Sequence, residues 1–144
     1  MSKVYKSHSY EETLKIGQEI AENLNGTEVI ALFGGLGMGK TALTTGIAKG
    51  LGCDDCVSSP TFALVNEYHG KCNIYHFDMY RISGWDDLYS IGFFDYLDTG
   101  VLVIEWSENI ENALPENTVY VEIEALGESK RKITVSHKKE NDVL

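Results

Sequence analysis

The chain has 144 residues, of which 43% are hydrophobic and 24% are charged, a composition typical of globular proteins. No apolar run approaches the roughly 20 residues that a membrane-spanning helix requires, and the start of the chain lacks the apolar core of a secretory signal. We therefore expect a cytoplasmic protein with no membrane contact, folded as one domain over residues 1–144. The formal net charge of −10 disfavours direct binding of a nucleic-acid backbone and favours a partner protein with a basic face, because like charges repel.

A strand and an amphipathic helix are predicted at the start of the chain. Residues 3–8 have the pattern of a short strand, and Ser9 is a good helix N-cap because its side-chain oxygen can accept a free backbone N–H. Glu11 and Glu12 follow in the first turn, where the helix dipole favours anions. The Asn-Gly pair at residues 25–26 should end the helix. Its apolar residues recur at helical spacing: Leu14, Gly17, Ala21 and Leu24, with Ile20 beside them.

A glycine-rich loop follows the next predicted strand, residues 28–33, and precedes a predicted helix over residues 39–51. The loop fits the P-loop pattern Gly-x4-Gly-Lys-Thr in its required setting between strand and helix. Glycines allow the positive φ angles that turn backbone N–H groups toward a phosphate, and the helix start adds further N–H groups. An ordinary glycine-rich turn is the alternative, but the pattern should arise by chance in under roughly 1% of chains of this length. The candidate nucleotide-binding residues are Gly34, Gly35, Leu36, Gly37, Met38, Gly39, Lys40, Thr41 and Ala42.

The middle of the chain predicts a hairpin and short helical segments. Residues 61–69 and 72–80 alternate apolar and polar side chains around a turn, which predicts an antiparallel pair of strands. A short helix near residues 85–88 and an aromatic loop or helical turn over residues 91–97 follow.

The last third of the chain completes the predicted sheet. Residues 101–105 form an apolar run typical of a buried parallel strand. A short helix over residues 106–113 ends before Pro115, and residues 118–125 and 131–137 form a final hairpin. Together the elements predict an α/β fold: a single P-loop NTPase-like domain whose mixed parallel and antiparallel sheet is flanked by helices.

A P-loop requires an acidic partner for Mg2+ at the end of a neighbouring strand, and two residues qualify. The apolar run before Glu105 favours Glu105, whereas the residue type favours Asp78, because Asp is the usual ligand there. If both lie in the site, one can hold Mg2+ through water while the other orients the attacking water. Thr61 is a candidate switch residue that senses the γ-phosphate, with a plain strand-entry turn as the alternative.

The motifs that the sequence lacks narrow the class of nucleotide-binding protein. No Asn-Lys-x-Asp guanine-reading motif occurs, so ATP is favoured over GTP. Only Arg81 and Arg131 are present, which is few for a small-molecule kinase that must hold two phosphate-bearing substrates. We expect slow hydrolysis that depends on a partner. A kinase and a nucleotide-sensing adaptor that does not hydrolyse ATP remain the alternatives.

Three cysteines are expected to be reduced thiols, because no export signal accompanies them. Cys53 and Cys56 have the spacing of a metal-binding pair. A structural zinc site needs four ligands, however, and Cys72 is the only further cysteine. A metal or redox role is therefore the less favoured interpretation.

Four stretches of the chain, taken in order and with their spacing, resemble the TsaE family, small P-loop ATPases of bacterial tRNA threonylcarbamoyladenosine (t6A) biosynthesis. The resemblance covers about residues 10–109. The matching stretches are LGMGKT at residues 36–41, SPTF at residues 59–62, HFDMYR at residues 76–81 and EWSE at residues 105–108.

The resemblance implies ATP and Mg2+ as ligands and TsaB and TsaD as partner proteins. In that family TsaD transfers a threonylcarbamoyl group to an adenosine of tRNA, and ATP hydrolysis by TsaE resets or activates the TsaB–TsaD complex. Contact with tRNA would thus be indirect. Carried over onto this sequence, the resemblance implies three roles: catalysis by Glu105, Lys40 and Thr61; Mg2+ coordination by Thr41, Asp78 and Glu105; and a nucleotide contact by Trp106.

Two positions depart from the usual loop of that family. Met38 changes only a loop side chain. Ala42 lacks a hydroxyl that would help to bind the α-phosphate.

The surface that meets the partners is not fixed by these motifs. The acidic middle of the chain and the aromatic region 89–97 are a candidate docking face. Packing in the core is the alternative role of the aromatic residues there: Tyr89, Phe93, Phe94 and Tyr96.

Overall fold

The centre of the structure is a seven-stranded sheet, among the residues that the computed structural model describes: 2–34, 39–53, 65–79 and 82–137. Its strands are β1 (Ser2–Ser7), β2 (Val29–Phe33), β3 (Val65–His69), β4 (Asn73–Asp78), β5 (Val101–Glu105), β6 (Val119–Ala125) and β7 (Arg131–Ser136). The helices are α1 (Tyr10–Glu22), α2 (Lys40–Gly50), α3 (Trp85–Ser90) and α4 (Phe93–Tyr96), with a 3₁₀ segment at Ser107–Ala113.

The sheet is mixed, as the sequence predicts. Its strands lie in the order β1-β7-β6-β2-β5-β4-β3. The four central strands β6, β2, β5 and β4 run parallel, whereas β3 pairs antiparallel at one edge and β7 and β1 at the other. β2 and β5 are buried almost throughout because helices cover both faces, which explains their unbroken apolar sequences. The predicted mixed sheet with flanking helices is confirmed.

Two apolar clusters lie on opposite faces of the sheet, since successive side chains of a strand alternate in direction. α1 and α2 cover one face, where Ile20 and Ile47 join a cluster with Leu32 and Val103. α3, α4 and the 3₁₀ segment cover the other face, with Phe93 in its cluster. The sheet is thus sandwiched between two helical layers.

Both predicted hairpins are present, with one difference in placement. β3 pairs with β4 from Val65 opposite Phe77 to His69 opposite Asn73; residues 61–64 and 80 of the prediction lie outside the described residues. β6 and β7 form the final hairpin, but β6 also lies parallel beside β2. Alternation identifies a strand without identifying its partner, so the sequence did not predict that neighbour. The predicted helix at residues 106–113 is the 3₁₀ segment.

The start of α1 has the predicted N-cap at Ser9, and the side chain of Glu12 adds a reciprocal hydrogen bond that the sequence analysis did not predict. Ser9 Oγ accepts the backbone N–H of Glu12 at 3.1 Å, and Glu12 Oε1 accepts the backbone N–H of His8 at 2.9 Å. The hydrogen bond from the His8 backbone lowers the pKa of the Glu12 carboxyl. The buried face includes Ile16, which the predicted face omitted, while Leu14 is half-buried.

α1 and α2 lie in close contact because glycines occupy their interface. A Cβ added at Gly17 would lie 2.5 Å from the carbonyl oxygen of Leu43, and one added at Gly46 would collide with the carbonyl group of Leu14. Neither position admits a side chain unless the helices move apart. The contact therefore fixes the position of α2.

We expect Gly46→Ala to lower the free energy of unfolding by about 1–3 kcal/mol, the usual cost of adding atoms to a filled contact. The better helix propensity of alanine offsets up to about 1 kcal/mol of this cost. Gly127→Ala is the control, because a Cβ there meets only Lys130 Cβ at 3.9 Å. Urea denaturation should show a lower midpoint for Gly46→Ala with an unchanged slope. Equal midpoints for the two variants would contradict the interpretation of the contact.

The aromatic segment divides between core and surface. Phe93 is fully buried, and its ring meets the edge of Phe77 with centroids 5.4 Å apart. Tyr89 is instead 68% exposed. The predicted loop or helical turn at residues 91–97 is the short helix α4. Core packing therefore accounts for Phe93 but not for Tyr89.

Candidate functional site

The carboxyl ends of three neighbouring parallel strands meet at one edge of the sheet. β2 ends at Phe33 and leads into Gly34, while β4 and β5 end at Asp78 and Glu105. Asp78 and Glu105 are register partners, so both side chains leave the sheet on the same face. α2, which follows the loop after β2, begins at Lys40. Open α/β sheets bind their ligands at this edge.

Two glycines bound the undescribed centre of the glycine-rich loop. Gly34 and Gly39 have φ angles of 143° and 93°, which glycine adopts at little cost. A Cβ added at Gly34 would lie 2.8 Å from the carbonyl oxygen of Ile123 on β6, so the chain passes too close to β6 for a side chain. Gly39 is the N-cap residue of α2. Four predicted ligands lie outside the described residues: Gly35, Leu36, Gly37 and Met38.

Lys40 lies close to three other residues that the sequence analysis predicted for the site. Its side chain is only 5% exposed, and its Nζ donates a hydrogen bond to the carbonyl oxygen of Gly34 at 3.1 Å. The same Nζ lies 4.0 Å from Glu105 Oε1 and 5.0 Å from the centroid of the Trp106 ring. A buried cation is stable only with such polar partners.

The first turn of α2 carries the other predicted loop residues. Thr41 is exposed and Ala42 is buried. Thr44 Oγ1 donates to the carbonyl oxygen of Lys40 at 2.8 Å. The Thr41 hydroxyl thus lies at the solvent side of a helix N-terminus, where anions are favoured.

Glu105 is buried at the end of β5 and has a partner that the sequence analysis missed. Its Oε2 lies 2.5 Å from Nε2 of His76, which is fully buried. His76 Nδ1 lies 3.4 Å from the hydroxyl of Tyr68. The sequence did contain one indication of this role. His76 stands two residues before Asp78 on a single strand, which places both side chains on the same face of the sheet.

Trp106 changes the direction of the chain immediately after Glu105. Its φ of 60° is left-handed, a conformation that is rare for a bulky residue and that tends to occur at functional sites. The 3₁₀ segment that follows is tied to β4, because Asn109 Nδ2 donates to the carbonyl oxygen of Met79 at 2.7 Å. The Met79 N–H in turn donates to the carbonyl oxygen of Glu105 at 3.0 Å. These bonds hold Trp106 beside the strand ends.

The donor set at this edge suits a nucleotide with Mg2+. Asp78, half-buried, and Glu105 supply carboxylate oxygens, and Thr41 supplies a hydroxyl. Within residues 2–34, 39–53, 65–79 and 82–137, no group of three or more His, Cys, Asp or Glu side chains could hold a metal alone. Mg2+ typically takes one or two carboxylates and completes its shell with phosphate oxygens and water, so this set fits. Thr61, the predicted switch residue, lies outside the described residues.

The two described cysteines show no sign of reactivity. Cys53 is buried, and burial raises the pKa of the half-buried Cys72 thiol, which reduces its thiolate fraction. Cys56 lies outside the described residues.

As for membranes, the helices in the described part of the chain are all too short or too polar to span one.

Comparison with known proteins points to one family. The family model described as "Threonylcarbamoyl adenosine biosynthesis protein TsaE" matches residues 7–133. The tRNA threonylcarbamoyladenosine biosynthesis protein TsaE of Treponema pallidum is 39% identical over 131 residues, which cover 90% of this chain and 97% of the relative. The protein of the same description from Aquifex aeolicus is 41% identical over 133 residues, covering 90% and 92%. A crystal structure of Bacillus subtilis YdiB superimposes with a TM-score of 0.72 at 33% identity, covering 94% of this chain and 84% of that one.

Proposed function

The chain belongs to the TsaE family of tRNA threonylcarbamoyladenosine biosynthesis proteins, and we propose that within this pathway it binds and slowly hydrolyses ATP. Hydrolysis would reset or activate a complex of TsaB and TsaD, so that contact with tRNA is indirect. The observation that carries the proposal is the meeting of Lys40 with Glu105. A buried ammonium at a helix start lies 4.0 Å from a buried carboxylate at a strand end.

Lys40 and the helix start would bind the phosphates. The Lys40 Nζ, now bonded to the Gly34 carbonyl, would donate to the β- and γ-phosphate oxygens. The N–H groups of the first turn of α2 and its dipole would add to this attraction. Trp106, whose ring already lies beside Nζ, would contact the nucleotide.

The two carboxylates would divide the remaining chemistry. Thr41 and Asp78 would hold Mg2+, which when bound neutralises charge on the phosphate oxygens. Glu105 would orient the attacking water and accept its proton. This division is supported by the burial of Glu105 against His76, because the carboxylate is held in place rather than exposed for a hydrated metal. Thr61 would act as the switch residue.

We expect purified chain to release phosphate from ATP slowly, and TsaB with TsaD to accelerate release by at least about tenfold, a small part of what a partner-supplied arginine contributes in other P-loop enzymes. The measurement is phosphate release with Mg2+, with and without the two proteins. Release that never rises above background, even in the full complex, would favour the nucleotide-sensing adaptor. Transfer of the phosphate to an added acceptor would favour the kinase.

A further inference from the structure

Four polar side chains form a hydrogen-bonded series that leads from β3, across β4, to Glu105 in the candidate site. Asn66 Nδ2 donates to the Tyr68 hydroxyl at 3.4 Å, and that hydroxyl lies 3.4 Å from His76 Nδ1. His76 Nε2 then meets Glu105 Oε2 at 2.5 Å. His76 is completely buried, and Tyr68 is only 5% exposed.

The direction of these hydrogen bonds follows from their last acceptor. A carboxylate oxygen only accepts, so His76 Nε2 carries the hydrogen and donates it to Glu105. With Nε2 as the donor, His76 Nδ1 can accept the Tyr68 hydroxyl. The network thus assigns the tautomer of His76 and fixes the plane of its ring.

The two oxygens of Glu105 consequently have different surroundings. Oε2 is anchored by His76, while Oε1 faces Lys40 at 4.0 Å. A carboxylate that orients a water molecule must be held within about 0.5 Å of its productive position. Glutamate has three rotatable side-chain bonds, and the hydrogen bond from His76 removes that freedom at the buried oxygen.

We propose that His76, oriented by Tyr68, is the positioning residue for Glu105 in ATP hydrolysis. This proposal rests on the proposed function, since it assigns a role in the same site. His76 acts through Glu105 and holds no nucleotide itself. Its loss should therefore lower kcat and leave nucleotide affinity nearly unchanged.

The test compares His76→Leu with His76→Gln. We expect His76→Leu to lower kcat about 10- to 100-fold, the loss found when a partner that orients a metal ligand is removed. The Kd for ATP from calorimetry should change less than about threefold. His76→Gln, whose amide N–H can replace Nε2–H, should recover most of the rate. Tyr68→Phe should give a smaller loss of kcat.

Ile74→Val is the matched control, because Ile74 is buried on the same face of β4. Circular dichroism checks that each variant is folded. A folded His76→Leu protein with normal kcat would overturn the proposal, as would equal losses of kcat in the Leu and Gln variants. Absence of turnover in the unaltered chain would contradict the proposed function and this role together.

A different observation concerns the outer face of α3 and α4. Trp85 and Tyr89 are 50% and 68% exposed and lie one helical turn apart. Both rings rest on Phe94, with centroid distances of 5.6 Å for Trp85 and 4.9 Å for Tyr89. We call these three rings the aromatic patch. Exposed, preassembled aromatic rings are typical anchors of protein interfaces.

The charge around the aromatic patch restricts what can cover it. Residues 82–129 contain no lysine or arginine, and Asp86 and Asp95 are exposed beside the rings. A second copy of the patch would bring like charges together, and a nucleic acid would be repelled. A cavity of about 270 Å³ lies between Trp85 and the 3₁₀ segment that leads back to Trp106.

We propose that the aromatic patch docks a partner protein whose surface offers an apolar pocket rimmed by lysine or arginine. On the proposed function this partner is the TsaB–TsaD complex. Two double variants separate the apolar from the electrostatic contribution to docking. Trp85→Ala with Tyr89→Ala removes the aromatic anchors, and Asp86→Lys with Asp95→Lys reverses the surrounding charge. Leu126→Ala is the control, since Leu126 is 51% exposed outside the patch.

Calorimetric titration of purified TsaB–TsaD should show affinity reduced at least about 30-fold by the first variant, a loss of about 2 kcal/mol. The second variant should reduce affinity about tenfold. ATP binding by the isolated variants should be unchanged. Undiminished binding to TsaB–TsaD would overturn the docking surface, as would concentration-dependent dimers of the unaltered chain that the first variant abolishes. If the unaltered chain does not bind TsaB–TsaD, the partner assignment and the surface both fall.

Discussion

Lys40→Ala is expected to abolish ATP turnover, with a loss of at least about 100-fold in kcat/KM, as when one stabilising donor is removed from other active sites. Lys40 is the buried cation that contacts the Gly34 carbonyl and approaches Glu105 and Trp106. Among the residues that the structure describes, Lys40 is the lysine or arginine recorded within 4.0 Å of Glu105. Phosphate release with Mg2+ measures the effect.

Lys49→Ala is the matched control for this variant. Lys49 belongs to the last turn of the same helix and is exposed. It shares the charge and the helix of Lys40 but not its position at the loop. Unchanged turnover in Lys40→Ala, or equal losses in both variants, would refute the phosphate assignment.

Glu105→Ala is expected to retain ATP binding but to lose hydrolysis, because the carboxylate acts on water while the loop and Lys40 bind the nucleotide. The substitution also leaves the buried Nε2–H of His76 without its acceptor, at a cost of about 1–3 kcal/mol in stability. Glu105→Gln avoids that cost, since its amide oxygen can accept the same hydrogen bond. Both variants should bind ATP in calorimetry and release phosphate at background rate.

Asp78→Asn separates the two carboxylates. If Asp78 holds Mg2+, its variant should weaken Mg2+-dependent ATP binding, which Glu105→Gln leaves intact. Glu124→Ala, an exposed acid on β6, controls for the change in net charge. If the Glu105 variants are folded yet fail to bind ATP, Glu105 is the metal-side acid and the two roles are reversed.

The order strand, glycine-rich loop, helix was predictable because each step is local. The apolar run of β2, the glycines at φ angles of 143° and 93°, and the start of α2 at Lys40 all follow from neighbouring residues. Asp78 and Glu105 were recognised for the same reason, each as an acid after an apolar strand. Their adjacency required only that β4 and β5 be parallel neighbours.

The features that were missed depend on contacts between residues far apart in sequence. His76 is separated from Glu105 by 29 positions, and nothing near it in the chain distinguishes an anchor for a carboxylate from an ordinary buried histidine. The parallel pairing of β6 with β2 likewise depends on contacts across the sheet and not on residues near either strand in sequence. Ile16, by contrast, was missed although it precedes Ile20 by four residues, the spacing of one helix face, and both side chains join the same core cluster.

The contact between Lys40 and Trp106 also places a fluorescent side chain inside the candidate site. The ammonium lies 5.0 Å from the centroid of the indole ring, and the emission of an indole depends on the electric field of nearby charges. On the proposed function, a phosphate that draws the ammonium away would change that field, so tryptophan fluorescence should report nucleotide binding without an attached dye. The chain has two tryptophans, and a Trp85→Phe variant leaves Trp106 as the only tryptophan.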